Sequence, residues 1–172
     1  MIIRQEHPSD YDEVYELVKI SFATDTHCDG TEQDYLNGLR DKSTFIPELS
    51  LVAEHKTGKL IGQIVLYKTD VVTPDKTLTE LVLSPICVHP GHFRRGIARA
   101  MIDEALRIAK GMGFRAVFLC GAPEIYGRLG FLPSYRYNIF HKDDASGAAE
   151  WSMVQELYAG ALGGVSGMVD TI

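Results

Sequence analysis

Between residues 86 and 101 a short apolar run, Ile86-Cys87-Val88, meets His89-Pro90-Gly91-His92-Phe93, then Arg94, Arg95 and Gly96, and then the apolar-periodic segment that begins at Ile97. A strand that passes through a basic, glycine-bearing loop directly into a helix leaves backbone N–H groups unpaired at the positive end of the helix dipole. Such a place binds phosphate. The two arginines add charge-assisted hydrogen bonds, and Gly96 lets the backbone approach an anion closely. Taken alone, the same residues fit a solvated basic turn equally well. Neither G-x-G-x-x-G nor G-x-x-x-x-G-K-[ST] occurs, so the stretch is neither a dinucleotide fingerprint nor a P-loop.

Other residues carry chemistry of different kinds. Glu80 falls within a predicted strand, on the alternating face with Val82, Ser84, Ile86 and Val88. An acid so placed could face a cleft with a raised pKa and act as a base, or lie at the wet end of the strand beside Lys76. Cys87 and Cys120 sit at predicted strand ends, where a covalent acyl-cysteine is conceivable. Small buried cysteines are usually inert, however, and no activating His–Asp pair is visible. His89-x-x-His92 has ligand spacing but no local third ligand, so no metal is assigned. Asp25, Asp29, Glu32 and Asp34 cluster in one connector, as selectors of a cationic amine or as helix caps and solvated surface.

The elements that must position these residues are legible from periodicity. Apolar spacing predicts a helix from Tyr11 to about Phe22, and Thr31-Glu32 opens a shorter one through Leu39. Leu49 to Glu54 and Leu60 to Tyr67 form a hairpin around Gly58. Leu78 to Val88 is a long strand in which Ser84-Pro85 marks a bulge or an end of pairing. Gly96 to Met112 is the clearest helix, and Ala116 to Cys120 reads as a strand buried on both faces. That strand, helix, strand unit implies a right-handed parallel crossover. Pro123 begins a short helix ending near Gly130. Tyr135 to His141 and Trp151 to Leu157 are predicted as the last strands, and the glycine-rich tail from 159 to 172 receives no assignment.

At 172 residues the chain suits one domain, 1–172. Hydrophobic residues at 45% and charged residues at 23% exclude a mainly disordered chain. A net charge of −6 lacks the basic field of nucleic-acid binders, so no nucleic-acid partner is expected. Three widely spaced cysteines suggest neither a disulfide framework nor a zinc site and fit a reducing cytoplasm. No apolar run approaches the roughly 18 residues that span a bilayer, so neither membrane insertion nor secretion is expected.

Phe93-Arg94-Arg95-Gly96-Ile97-Ala98 resembles [QR]-x-x-G-x-[GA], the acetyl-CoA signature of the GCN5-related N-acetyltransferase (GNAT) family. Val88-His89-Pro90 is similar to the V-x-P that leads into that loop, and Tyr126-Gly127-Arg128-Leu129-Gly130-Phe131 resembles the family's later Y-x-x-x-G-F. The element order matches the family's over roughly residues 1 to 158. The resemblance implies an α/β fold with a mainly antiparallel central sheet. Its fourth and fifth strands, parallel and splayed, would admit acetyl-CoA as cosubstrate.

It further implies acetyl transfer to a primary amine of a small molecule or peptide, directly within a ternary complex. Cofactor contacts would come from Ile86, Cys87, Val88, Arg94, Arg95, Gly96, Ile97, Ala98 and Arg99, and from Tyr126, which would approach the cofactor sulfur. A backbone N–H near Cys87 or Val88 would stabilise the oxyanion. Tyr126 occupies the position of the acid that protonates the departing thiolate, against an alternative role in packing the short helix. Glu80 is the candidate base, or water takes the proton. Phe93 departs from the usual Gln or Arg, and the asparagine common near Gly121 is missing. A non-catalytic acyl-CoA sensor or interaction domain is the competing function. Relatives pair through C-terminal strands, which makes a homodimer an expectation, although the tail shows no interface pattern.

Overall fold

The computed structural model describes residues 1–23 and 29–171; Asp25, singled out above, lies outside them, as does Cys28, one of the three cysteines. The chain divides into two compact units, Met1–Leu66 with Ser84–Ile108, and Tyr67–Leu83 with Ala109–Ile172. Two long strands and one helix pass through the division.

In the first unit β1 (Ile2–Gln5) pairs antiparallel with β2 (Ser50–Glu54), which pairs antiparallel with the start of β3 (Leu60–Val72). The hairpin turns at Gly58, whose φ of 85° favours glycine. Helices α1 (Tyr11–Phe22) and α2 (Glu32–Arg40) bury Val14, Leu17 and Val18 and Leu36 and Leu39, the i, i+3, i+4 stripe that their sequence spacing predicts. The Glu13 carboxylate accepts the Leu60 N–H at 2.9 Å and ties α1 to β3. Arg40 lies over the Tyr11 ring and donates to buried Glu6, which also accepts the Ser50 hydroxyl at 2.8 Å.

The unit also holds the end of β4 (Thr77–Val88) and most of α3 (Ile97–Gly111). Helix α3 buries Ile97, Met101, Ile102, Ala105 and Ala109. It packs on the face of β3 where Gly62 has no side chain: a Cβ there would lie 2.9 Å from Met101 Cε.

In the second unit the first half of β4 runs parallel to β5 (Ala116–Cys120), with Leu81 opposite Val117 and Val82 opposite Phe118. Strand β4 continues through the cis Ser84–Pro85 peptide, while its pairing with β5 stops at Val82. The short helix α4 (Pro123–Tyr126) follows, then β6 (Leu132–Pro133), β7 (Ile139–His141) and β8 (Ser152–Glu156). Strand β8 pairs antiparallel with both β5 and β6. The fold is thus a mixed α/β one with a mostly antiparallel sheet, parallel β4 and β5, and flanking helices.

Two expectations need correction here. Residues 135–141 are not one strand, because Ser134–Tyr137 coils into a 3-10 turn that ends at Asn138 with φ 57°. Only three residues of the segment remain to pair. The tail, left unassigned above, is ordered by specific contacts. Glu156 accepts the N–H groups of Gly160 and Leu162. Leu162 and Val169 join a core with Val71, Phe118, Ile139 and Val154. Strand β9 (Gly167–Val169) pairs with β3 and β7. Gly167 is required there, since a Cβ would lie 2.3 Å from the Val72 carbonyl oxygen. No helix among the described residues is long and apolar enough to cross a membrane.

Candidate active site

The basic loop has the architecture expected of an anion site. After β4 the His89 N–H bonds the Ile61 carbonyl at 2.9 Å, and Pro90–His92 makes a 3-10 turn that His89 Nδ1 closes on the Gly91 N–H at 3.0 Å. His89 is therefore spent on shaping the loop. Its ring centroid lies 5.8 Å from that of His92, and no group of three or more His, Cys, Asp or Glu able to hold a metal occurs among the described residues.

Arg94 and Gly96 both take positive φ, 59° and 75°, which turns successive N–H groups outward before α3 begins. The first bond of α3 runs from the Ala100 N–H to the Gly96 carbonyl at 3.0 Å. The N–H groups of Arg94, Arg95, Gly96, Ile97 and Ala98 therefore have no backbone acceptor among the described residues. A Cβ on Gly96 would meet no atom within 4 Å, so the space above it is open to a ligand. Phe93, where the family favours Gln or Arg, is 54% exposed. A phosphate-bearing cosubstrate fits this loop.

At the end of β4, Cys87 is buried, and its sulfur meets the Ser21 hydroxyl and the Gln63 backbone N–H. Burial pushes its thiol up to about 12, which holds it as an unreactive thiol at neutral pH. Burial likewise raises the Cys120 thiol, whose sulfur bonds the Thr171 hydroxyl. Two acids of the connector are committed: Asp29 accepts the N–H and hydroxyl of Thr31, and Asp34 accepts the Tyr15 hydroxyl.

In the second unit Tyr126 closes α4, and its ring stands edge-on to Phe131 with centroids 6.0 Å apart. Burial raises the phenol above its ordinary value, which keeps the proton on at neutral pH. Gly121 explains itself: a Cβ there would lie 2.3 Å from Tyr126 Cε2 and 2.5 Å from Cδ2. Gly121→Ala is therefore expected to displace Tyr126 and lower turnover while acetyl-CoA affinity stays unchanged, as steady-state kinetics with calorimetry would show. Unchanged turnover would contradict that packing role. Gly130, the glycine of Tyr126-x-x-x-Gly130-Phe131, takes φ 99° and lies against the Gln155 amide.

Glu80 does not lie at a wet end of its strand. It is 2% exposed, and its Oε2 accepts the N–H groups of Arg115 and Ala116 at 2.9 and 3.3 Å. The carboxylate thus secures the entry of β5. Desolvation raises its pKa, against which the two N–H donors and Arg115 act. The folded state then holds the proton more tightly than the unfolded one. The contribution of this group to stability is full below the ordinary carboxyl pKa and declines as pH rises through the raised value. Glu80→Gln keeps an oxygen for both N–H donors and removes that decline. Its melting temperature should gain on the wild type from acid to neutral pH, with turnover retained. Glu80→Ala orphans two N–H groups and should cost about 1–3 kcal/mol. A hundredfold loss of kcat in a stable Glu80→Gln would instead make Glu80 the base.

Residues 2–133 match the family model described as acetyltransferase (GNAT) domain. Among solved structures the chain is similar to the GNAT family N-acetyltransferase YhbS from Escherichia coli in complex with CoA. The identity is 27% and the TM-score 0.85, over 99% of this chain and 89% of that one. It is also similar to a GNAT family acetyltransferase from Brucella melitensis in complex with acetyl-CoA, at 28% identity and TM-score 0.69, over 76% of this chain and 81% of that one. The ribosomal-protein-S18-alanine N-acetyltransferase of Escherichia coli shares the fold at 17% identity and TM-score 0.60, over 91% and 93% of the two chains. No curated protein matches the sequence. With the family model spanning most of the chain and the signature loop built as such a loop must be, the protein belongs to the GNAT family and is an acetyl-CoA-dependent N-acetyltransferase.

Proposed function

We propose that the enzyme transfers acetyl to a primary amine of a small molecule or peptide, directly, within a ternary complex. The observation that carries this reading is the run of N–H groups from Arg94 to Ala98 at the head of α3, which have no backbone acceptor among the described residues. Acetyl-CoA supplies the acetyl thioester when bound. The loop N–H groups hold the pyrophosphate, Arg94, Arg95 and Arg99 add charge, and Ile86, Cys87 and Val88 contact the pantetheine arm. A backbone N–H at Cys87 or Val88 stabilises negative charge on the reacting carbonyl oxygen.

The Tyr126 hydroxyl protonates the leaving thiolate; burial raises its pKa, so it carries its proton at neutral pH. An alkylammonium, with pKa about 10.4, must lose its proton before it attacks. With Glu80 committed to β5, that proton leaves through water. The raised pKa of Cys87 and Cys120 favours direct transfer over an acyl-cysteine. Initial rates with both substrates varied test the order of events. Intersecting double-reciprocal lines are expected, and parallel lines, the mark of a covalent intermediate, would overturn direct transfer.

A further inference from the structure

Gln63 lies in β3 with no accessible surface, and neither Oε1 nor Nε2 of its side chain has a hydrogen-bond partner among the described residues. An amide buried in this way gives up the hydrogen bonds water would supply and is destabilising for each group left unpaired. Native interiors seldom retain one without a use. Its place in the fold indicates the use. Gly62 faces Met101 of α3, so Gln63, one residue on, points to the opposite face of the strand.

The His89 N–H bonds the Ile61 carbonyl, and the Thr73–Lys76 turn makes β3 and β4 run in opposite directions. Carried two residues inward on each strand, that register puts Cys87 opposite Gln63. Cys87 meets Ser21 of α1 on that face. Ser21 stands in the last turn of α1 and is itself partly buried. The orphaned amide is therefore a cross-strand neighbour of Ile86–Val88, the segment assigned above to the reacting carbonyl.

We propose that Gln63 is the acceptor-specificity residue: its Oε1 accepts an N–H of the acceptor amine and its Nε2 donates to a carbonyl beside that amine. This rests on the function proposed above. The matching acceptor is a primary amine with an adjacent carbonyl, as in an aminoacyl amide or a peptide N-terminus. A plain alkylamine offers only half of the pairing. Site-built hydrogen bonds reject analogues that lack the partner, because the buried group is then left unpaired. The free enzyme carries the cost of the unpaired amide, and the acceptor relieves it.

The test compares a panel of aminoacyl amides with alkylamines of equal length for wild type, Gln63→Met and Gln63→Glu. Wild type should prefer the amides by at least about tenfold in kcat/KM. Gln63→Met should abolish the preference, with KM for acetyl-CoA unchanged and a melting temperature equal to or above that of wild type, since the orphan is gone. Gln63→Glu, which keeps the shape and loses the donor, should lower the preference even if the methionine variant folds poorly. A wild type without preference, or either variant with the preference intact, overturns the proposal. Transfer to alkylamines alone would refute it and leave the acetyltransferase function standing. No transfer to either class refutes it too and falls on that function as well.

Discussion

Replacing Gly96 with tryptophan is expected to weaken acetyl-CoA binding by about 100-fold or more, equivalent to about 2.7 kcal/mol. Two features of the loop set this magnitude. Gly96 lies in the middle of five N–H groups with no backbone acceptor, and its open side is the space a pyrophosphate would take. A side chain there meets no protein atom within 4 Å, so the fold survives at the cost of backbone strain at φ 75°, about 1–2 kcal/mol. Calorimetric titration of the folded variant reads the effect. Wild-type affinity in a Gly96→Trp protein that melts as a single transition would remove the loop from the cosubstrate site.

Removal of one oxygen in Tyr126→Phe should lower kcat about 100-fold and leave acetyl-CoA affinity unchanged. The ring stays, so its edge-on contact with Phe131 and its fit over Gly121 are preserved. The pH profile separates the proposed role from packing. A donor must carry its proton, and burial raises this phenol above its ordinary pKa. The wild-type rate should therefore keep rising with pH as the acceptor amine is freed, and fall only above about pH 10. In Tyr126→Phe that alkaline decline should disappear. Equal kcat in the two proteins would reduce Tyr126 to a packing residue.

The parts of this enzyme legible in its sequence are those with a period or a fixed spacing. Helix α3 shows its buried stripe at Ile97, Met101, Ala105 and Ala109, and β5 is an unbroken apolar run, so the loop and the crossover it opens were placed from residue types alone. The tail was not legible, because its apolar residues Leu162 and Val169 are separated by glycines and follow neither period. They find their partners only through the Glu156 carboxylate and the close approach of Gly167 to Val72. Glu80 shows a different limit: alternation along β4 left it either facing a cleft or at the wet end of the strand, and no local pattern reveals that two N–H groups 35 and 36 residues away take its carboxylate. No local pattern at Gly121 reveals that the Tyr126 ring fills the space beside it. Gln63 did leave a signal, a lone amide in Leu60-Ile61-Gly62-Gln63-Ile64-Val65-Leu66, which only its lack of partners makes meaningful.

Amide hydrogen exchange of the wild-type protein, read by mass spectrometry with and without saturating acetyl-CoA, tests the central claim most directly. Exposed N–H groups without an acceptor exchange rapidly, and a bound pyrophosphate must slow them. The account predicts strong protection across Arg94 to Ala98 with acetyl-CoA and none there with pantetheine, which lacks the pyrophosphate. Saturable acetyl-CoA binding that leaves the exchange of these five amides unchanged would contradict it.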